Sequence, residues 1–180
     1  KKVGVNAFLA KPLFRSKLYN VMLELLSDRQ QLEQPPKQSL LVDNAACTGR
    51  VLLVEDNELN MEIAAEFFSI CGASVEKAWD GSEAVKLVKS MPEGYYTSIF
   101  MDIQMPIMDG YEATRQIRQL EQQQGRERTP IVAMSANAFN EDVSKAYLAG
   151  MDDYITKPMS LQEIKKVLQS IKEKEQQPEA

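Results

Sequence analysis

Carboxylates stand at the ends of two short apolar runs in this sequence. VLLVE at 51–55 ends in Glu55 and is followed by Asp56, while SIFMD at 98–102 ends in Asp102. Three carboxylates that converge repel one another unless a cation lies among them. Oxygen ligands without histidine or cysteine suit a hard ion, so we predict a site for Mg²⁺ or Mn²⁺. Asp102 beside such an ion is a candidate nucleophile, because aspartate can form an aspartyl-phosphate.

Two more runs end in groups that suit phosphoryl transfer. PIVAMS at 130–135 ends in Ser135, and DYITK at 153–157 ends in Lys157. The lysine offers positive charge to phosphoryl oxygens, and the serine offers a short hydroxyl donor. Ordinary alternatives exist, since Asp56 or Asn57 could cap a helix, Ser135 could be a loop hydroxyl and Lys157 a solvated side chain. Their occurrence after four of five runs favours a common site.

These runs alternate with stretches of helical periodicity. The runs are 51–55, 73–78, 98–102, 130–135 and 153–157; helical spacing is seen in Leu59, Ile63, Phe67 and Cys71, in Val143, Ala146 and Tyr147, and in Leu161, Ile164, Leu168 and Ile171, with a further short helix at 82–91. Five strands alternating with five helices predict an open, mostly parallel sheet covered on both faces. Ligands of such sheets bind beyond the carboxyl ends of the strands, where the polar residues above are predicted to meet.

Composition excludes several classes of function. The 180 residues carry a net charge of −5 and no Lys/Arg cluster, which argues against nucleic-acid binding. No apolar stretch approaches the roughly 18 residues of a membrane span, so we expect no membrane contact. Cys47 and Cys71 have no metal-site spacing, which favours the cytoplasm. The sequence contains no histidine, so it holds no Ser-His-Asp triad, no histidine metal ligand and no phosphohistidine of its own.

Four motifs in order resemble the response-regulator receiver domain of two-component signalling. They are LLVEDN (52–57), FMDIQMPIMDGYE (100–112), AMSA (133–136) and YITKP (154–158), and the resemblance covers residues 50 to about 172. It implies a flavodoxin-like (βα)5 fold, a doubly wound parallel sheet with strand order 2-1-3-4-5.

The resemblance also implies a role for each polar residue at the strand ends. Those roles are Asp102 as phosphoacceptor, Glu55 and Asp56 as the acidic metal-binding pair, the backbone carbonyl of Gln104 as a further metal ligand, Lys157 as the phosphate-binding lysine, and Ser135 and Tyr154 as the switch pair. Many relatives carry Asp-Asp where this chain has Glu55-Asp56, so Glu55 binds the metal either directly or through water. The Lys157-Pro158 bond is expected to be cis, as is usual in the family.

The beginning of the chain resembles the end of the same domain. Residues 4–22 align without a gap on 150–168, with Lys11-Pro12 on Lys157-Pro158. We therefore predict four regions: 1–28 as the C-terminal strand and helix of a preceding receiver-like domain, 29–48 as a linker, 49–173 as the receiver domain and 174–180 as a tail. This arrangement resembles the tandem receivers of a hybrid sensor histidine kinase.

A helix within the first region would carry an apolar stripe. Phe14, Leu18, Val21, Met22 and Leu25 share one face of a helix over 13–27. Large apolar side chains left in water are unfavourable, so we expect the stripe to pack either on residues 50–172 or on a second copy of the chain, which would then dimerise through 13–27.

The motifs predict a phosphorelay receiver that takes a phosphoryl group from a histidine kinase or a histidine phosphotransfer domain onto Asp102. The family implies that the receiver promotes its own phosphorylation and dephosphorylation. A haloacid-dehalogenase-like phosphatase is one alternative, although that family would place a second Asp where this chain has Gln104. A pseudo-receiver that only binds partners is another. A Rossmann dinucleotide site is excluded, because no G-x-G-x-x-G follows the first strand.

Overall fold

The computed structural model describes residues 49–136 and 140–175. The predicted region 1–28, the linker 29–48 and the apolar stripe within 13–27 lie outside the described residues, as does most of the predicted tail. Those parts of the sequence analysis therefore stay predictions.

Strands and helices alternate strictly along the described chain. The elements are β1 (Arg50–Val54), α1 (Glu58–Ile70), β2 (Ser74–Ala78), α2 (Gly81–Ser90), β3 (Ser98–Asp102), α3 (Gly110–Gln124), β4 (Ile131–Ser135), α4 (Asn140–Ala149), β5 (Asp153–Thr156) and α5 (Leu161–Glu175). Each predicted strand is present, with its ends within one residue of the predicted ends.

The five strands form one parallel sheet in the order β2-β1-β3-β4-β5. This confirms the predicted flavodoxin-like, doubly wound architecture. The register pairs Val54 with Met101 and Ser135 with Thr156. Glu55 and Asp102 each follow one of the paired residues Val54 and Met101, so the register carries both carboxylates to the same edge of the sheet.

Each face of the sheet has its own apolar core. On one face, α1 and α5 cover the sheet, and the rings of Phe68 and Phe100 meet edge to face with their centroids 4.6 Å apart. On the other face, α2, α3 and α4 contribute Val88, Ile117 and Ala146. Strand β3 is buried along its whole length, from Ser98 to Asp102. A carboxylate at the end of β3 is therefore held in surroundings that exclude most water.

Of the residues that predict α1 by their spacing, only Cys71, at the end of the helix, is fully buried. Leu59 is 51% exposed, and Ile63 and Phe67 are only partly buried. Met61, Ala64 and Phe68 are the α1 residues that pack on the sheet. Both sets of residues have helical spacing, so periodicity identifies the helix but not the face that packs on the sheet.

Four helices begin with a side-chain cap, and the cap of α5 is Ser160, whose Oγ accepts from the amide of Glu163. Asn57, Asp80 and Asp109 accept hydrogen bonds from backbone amides in the first turns of α1, α2 and α3 respectively. Such caps satisfy amides that have no partner inside the helix. Among the residues that the structure describes, no helix combines the length and the apolar character that crossing a membrane requires.

Candidate functional site

Glu55, Asp56 and Asp102 come together at the carboxyl end of the sheet, as predicted. One carboxylate oxygen from each residue lies within 4.8 Å of those of the other two. Glu55 is 1% exposed and Asp102 is 5% exposed, whereas Asp56 faces solvent. Two buried carboxylates and one accessible carboxylate therefore form an acidic cluster that an ion can reach from the Asp56 side.

Lys157 reaches this cluster from the end of β5. Its Nζ donates to Oε2 of Glu55 at 2.5 Å and to Oδ2 of Asp102 at 2.6 Å. The backbone amide of Lys157 also donates to the carbonyl of Ser135 at 2.7 Å, which fixes the lysine to the end of β4. The Lys157-Pro158 bond is cis, as expected. One ammonium group thus serves two buried carboxylates, and the cluster retains an excess of negative charge.

The surroundings of Asp102 disfavour the ionised form of its carboxyl group. Its burial raises its pKa above the ordinary value of an aspartate, and the nearby charge of Glu55 raises the pKa further. The hydrogen bond and positive charge of Lys157 act in the opposite direction, as does the backbone amide of Gln104, which donates to Oδ1 of Asp102 at 3.3 Å. Desolvation dominates, so ionised Asp102 would be stabilised by a further cation.

Asn60 is a site residue that the sequence analysis missed. Its Nδ2 donates to Oε1 of Glu55 at 2.9 Å, so both oxygens of this buried carboxylate have a donor. The signal was an amide side chain one helical turn after the cap Asn57. The capping alternative considered for Asp56 and Asn57 applies to Asn57 alone, because Asn57 caps α1 whereas Asp56 lies in the acidic cluster.

The pair Asp109-Gly110 connects the site to α3. Asp109 caps the helix, its Oδ1 accepting from the amide of Glu112 at 2.8 Å. Gly110 packs directly on the backbone of Asp102: a Cβ atom at Gly110 would overlap the Asp102 carbonyl oxygen. Glycine is needed here because of this close approach, and not merely because a turn follows the strand.

An open cavity of about 390 Å³ adjoins the acidic cluster. Asp56, Gln104 and Ser135 line it, together with Ile103, Met105, Pro106, Asp109, Tyr111 and Asp142. Ser135 is buried at the end of β4, and Tyr154 on the neighbouring strand packs partly buried against the core formed with α2, α3 and α4. The structure thus places the predicted metal and phosphoryl-transfer residues at the same edge, whereas Tyr154 lies within β5, opposite Ala133. The carbonyl ligation by Gln104 and the Ser135–Tyr154 switch stay predictions.

Known proteins share this architecture. Residues 51–169 match the model of the response regulator receiver domain. The chain is 37% identical over 139 residues, 77% of its length, to "Hybrid signal transduction histidine kinase L" of Dictyostelium discoideum, but it spans only 8% of the length of that kinase.

Two solved receiver domains are similar in both sequence and structure. The first is the receiver of Ssk1, crystallised with the histidine phosphotransfer protein Ypd1 of Saccharomyces cerevisiae, with 35% identity, a TM-score of 0.66, and coverage of 72% of this chain and 92% of that one. The second is the receiver of the sensor histidine kinase PA1611 of Pseudomonas aeruginosa, with 36% identity, a TM-score of 0.61, and coverage of 68% and 96%. The family model matches most of the chain, and the strand order and the shared position of Glu55, Asp102 and Lys157 agree with that match. This chain is therefore a member of the response regulator receiver domain family.

Proposed function

We propose that this receiver domain accepts a phosphoryl group on Asp102 from a phosphohistidine, in a reaction that requires Mg²⁺. The observation that carries the proposal is the position of Asp102, a nearly buried carboxylate at the end of β3 that contacts Lys157 and adjoins Glu55 and Asp56. Carboxylate nucleophiles and a fixed positive charge are the parts that phosphoryl transfer to aspartate needs.

The acidic cluster fits a divalent cation. Three carboxylate oxygens within 4.8 Å of one another offer the hard oxygen ligands that Mg²⁺ prefers, and a single lysine leaves their charge incompletely balanced. We assign Asp56, Asp102 and the carbonyl of Gln104 as ligands, with Glu55 binding directly or through water. Bound Mg²⁺ would supply positive charge to the carboxylates and to the phosphoryl oxygens. The PA1611 receiver, which holds a magnesium ion in its active-site cleft, supports this assignment.

In the proposed reaction, a carboxylate oxygen of Asp102 attacks the phosphorus of the phosphohistidine. A P–O bond to Asp102 forms while the P–N bond breaks, and its electron pair stays on the imidazole nitrogen, which takes up a proton. Lys157 is placed to hold a phosphoryl oxygen after its ion pair with Asp102 is given up. The hydroxyl of Ser135 then donates a hydrogen bond to another phosphoryl oxygen. Tyr154 turns inward into the space that Ser135 leaves, and this rotation changes the surface around β4, α4 and β5.

The donor is a separate protein or domain, because this sequence has no histidine. The co-crystal of the Ssk1 receiver with Ypd1 supports a histidine phosphotransfer domain as one donor, and the hybrid kinase relative supports a histidine kinase as another. We propose that the chain comes from such a hybrid kinase. In that protein, 1–28 would end a preceding receiver-like domain, 29–48 would link it to the receiver at 49–173, and 174–180 would form a tail.

The test is phosphorylation by two donors: acetyl phosphate with Mg²⁺, and phosphorylated Ypd1. Intact-mass spectrometry should show one added phosphoryl group, lost in Asp102→Asn and abolished by a chelator. Asp80→Asn is the matched control, since Asp80 is an aspartate that caps α2 and does not line the cavity. Labelling that persists in Asp102→Asn would show that the wrong residue was assigned. Rapid turnover of assorted phosphomonoesters would instead favour the phosphatase, and a chain that no donor labels would favour the pseudo-receiver.

A further inference from the structure

The loop between β3 and α3 contains a strained turn centred on Ile107. Its φ angle is 68°, and the amide of Met108 donates to the carbonyl of Pro106 at 2.7 Å, which closes a three-residue γ-turn. The γ-turn with positive φ is the rare, strained form, and a β-branched residue is a marked outlier there. Ile107 is the one non-glycine residue with positive φ in the part of the chain that the structure describes.

The loop holds this conformation from both sides of the turn. The amide of Gly81 donates to the carbonyl of Met108 at 3.2 Å, and Asp109 caps α3. Met105 and Met108 pack against the core beneath the loop. These contacts fix the backbone without using the side chain of residue 107.

The contacts that hold the turn do not explain why residue 107 is an isoleucine. It is 86% exposed, so its burial does not offset the strain of the turn. Glycine or asparagine would adopt the same backbone with less strain, because both enter the left-handed region readily. The fold therefore accounts for the turn, but it does not account for a large apolar side chain at the tip of the turn.

The position of the turn supplies an explanation. Residues on both sides of Ile107, namely Met105, Pro106 and Asp109, line the cavity that adjoins the acidic cluster. Asp102 is only 5% exposed, so the backbone of a protein donor cannot approach it closely. The donor has to reach Asp102 with its phosphorylated side chain while its polypeptide stays at the mouth of the cavity. Ile107 lies in the chain between these lining residues, and its side chain is exposed to solvent.

We propose that Ile107 is a docking residue for the protein that carries the phosphohistidine, and that it contacts an apolar patch next to the phosphorylated side chain. This inference rests on the proposed function and deepens it. Ile107 acts in the encounter with a protein donor, whereas Asp102, Asp56 and Lys157 perform the chemistry. Donors of different size therefore distinguish the two roles.

The experiment measures the initial rate of phosphorylation by acetyl phosphate and by phosphorylated Ypd1, both with Mg²⁺. The variants are Ile107→Asn and Ile107→Gly, which keep the turn and remove the apolar side chain. Leu148→Asn is the matched control, because Leu148 is 87% exposed near the end of α4, next to Gly150 at the opposite edge of the sheet. Thermal unfolding of each variant establishes that it folds.

We expect both Ile107 variants to melt no lower than the wild-type chain, to react equally fast with acetyl phosphate, and to accept phosphate from Ypd1 at least about fivefold more slowly. Leu148→Asn should match the wild-type chain with both donors. Equal rates from Ypd1 in folded Ile107→Asn would overturn the inference, as would a parallel loss with acetyl phosphate or a wild-type chain that Ypd1 cannot label. Failure of acetyl phosphate to label the wild-type chain would instead count against the proposed function.

Discussion

Carboxylate clusters lie at both ends of the sheet, and the two are neutralised differently. At the amino ends of β4 and β5, the guanidinium of Arg118 donates to Glu121 at 2.7 Å and to Asp152 at 2.6 Å. The remaining oxygen of Glu121 accepts from the amide of Thr129, and Asp152 accepts from the amide of Ile131, each at 2.8 Å. We call Arg118, Glu121 and Asp152 the brace. At the carboxyl ends of the strands, one lysine faces three carboxylates.

The difference separates a structural network from a reactive one. In the brace, Arg118 and two backbone amides serve the two carboxylates, and Arg128 donates to the remaining oxygen of Asp152 at 3.2 Å, so every carboxylate oxygen has a donor. In the acidic cluster, Lys157 is a point charge shared by Glu55 and Asp102, and burial still raises the pKa of Asp102. A site that must admit a cation and a phosphoryl group has to be left incompletely neutralised until they arrive.

The largest expected effect on stability comes from breaking the brace. Arg118→Met removes the cation and leaves Glu121, 3% exposed, without its charged partner. Losing one partner of a buried ion pair destabilises a protein by about 3–5 kcal/mol, and we expect a loss of this size in urea unfolding, unchanged by Mg²⁺. Arg115→Met is the control on the same helix: its pair with Glu112 is exposed and screened by solvent, so its effect should be far smaller. Equal losses in both variants would refute the distinction.

A smaller effect, rescued by Mg²⁺, is expected at the acidic cluster. Lys157→Met should lower the free energy of unfolding by about 2–4 kcal/mol, because two buried carboxylates lose their shared cation. The loss should be below that of Arg118→Met, since Asn60 still donates to Glu55 and Asp102 can take up a proton.

Added Mg²⁺ should recover part of this loss through binding to the native state. Phosphorylation of the same variant should be slow, because the lysine that would hold a phosphoryl oxygen is absent. Lys77→Met removes a surface pair with Glu62 and should respond to neither Mg²⁺ nor the phosphodonor. An Mg²⁺ response of equal size in Lys77→Met would mean that the ion acts elsewhere.

The smallest effect has a distinctive dependence on pH. Burial raises the pKa of Asp102 in the folded state, so this carboxyl favours folding while it is protonated, and that contribution is lost as the pH rises through the folded-state pKa. Without metal, Asp102→Asn should therefore be more stable than the wild-type chain at neutral pH, and the difference should vanish below about pH 4.

Glu112→Gln gives the opposite sign. Hydrogen bonds from Gln116 and Arg115 lower the pKa of Glu112, so its contribution is present at neutral pH and is lost on acidification. Unfolding curves in chelator from pH 3 to pH 7 would compare the two variants. A wild-type chain more stable than Asp102→Asn at neutral pH would show that Lys157 outweighs desolvation.

Much of the site was predictable because sheet geometry is repetitive. Parallel strands of similar length place the residues that follow them at one edge, so Glu55, Asp102, Ser135 and Lys157 could be grouped from the ends of four apolar runs. The alternation of strands and helices was predictable from the same runs, whereas the strand order was implied only by the resemblance to the receiver family.

What the sequence did not reveal depends on contacts between distant side chains. Arg118 meets Asp152 across 34 positions, and no local pattern marks either residue as a partner of the other. In α1, two apolar stripes have helical spacing, and the one that begins at Leu59 is only partly buried before Cys71, whereas the one that includes Phe68 is buried. The strain at Ile107 was equally invisible, since nothing about an isoleucine between proline and methionine indicates positive φ.

The absence of a side chain at Gly110 has a mechanical consequence. The first turn of α3 rests on the carbonyl of Asp102, and its amide donates to the carbonyl of Ile103 at 3.0 Å, so no compressible layer separates helix from strand. A displacement of the Asp102 backbone would therefore move the first turn of α3, because no side chain lies between them that could change rotamer to absorb it. Gly110 thus couples the start of α3 directly to the backbone of the proposed phosphoacceptor.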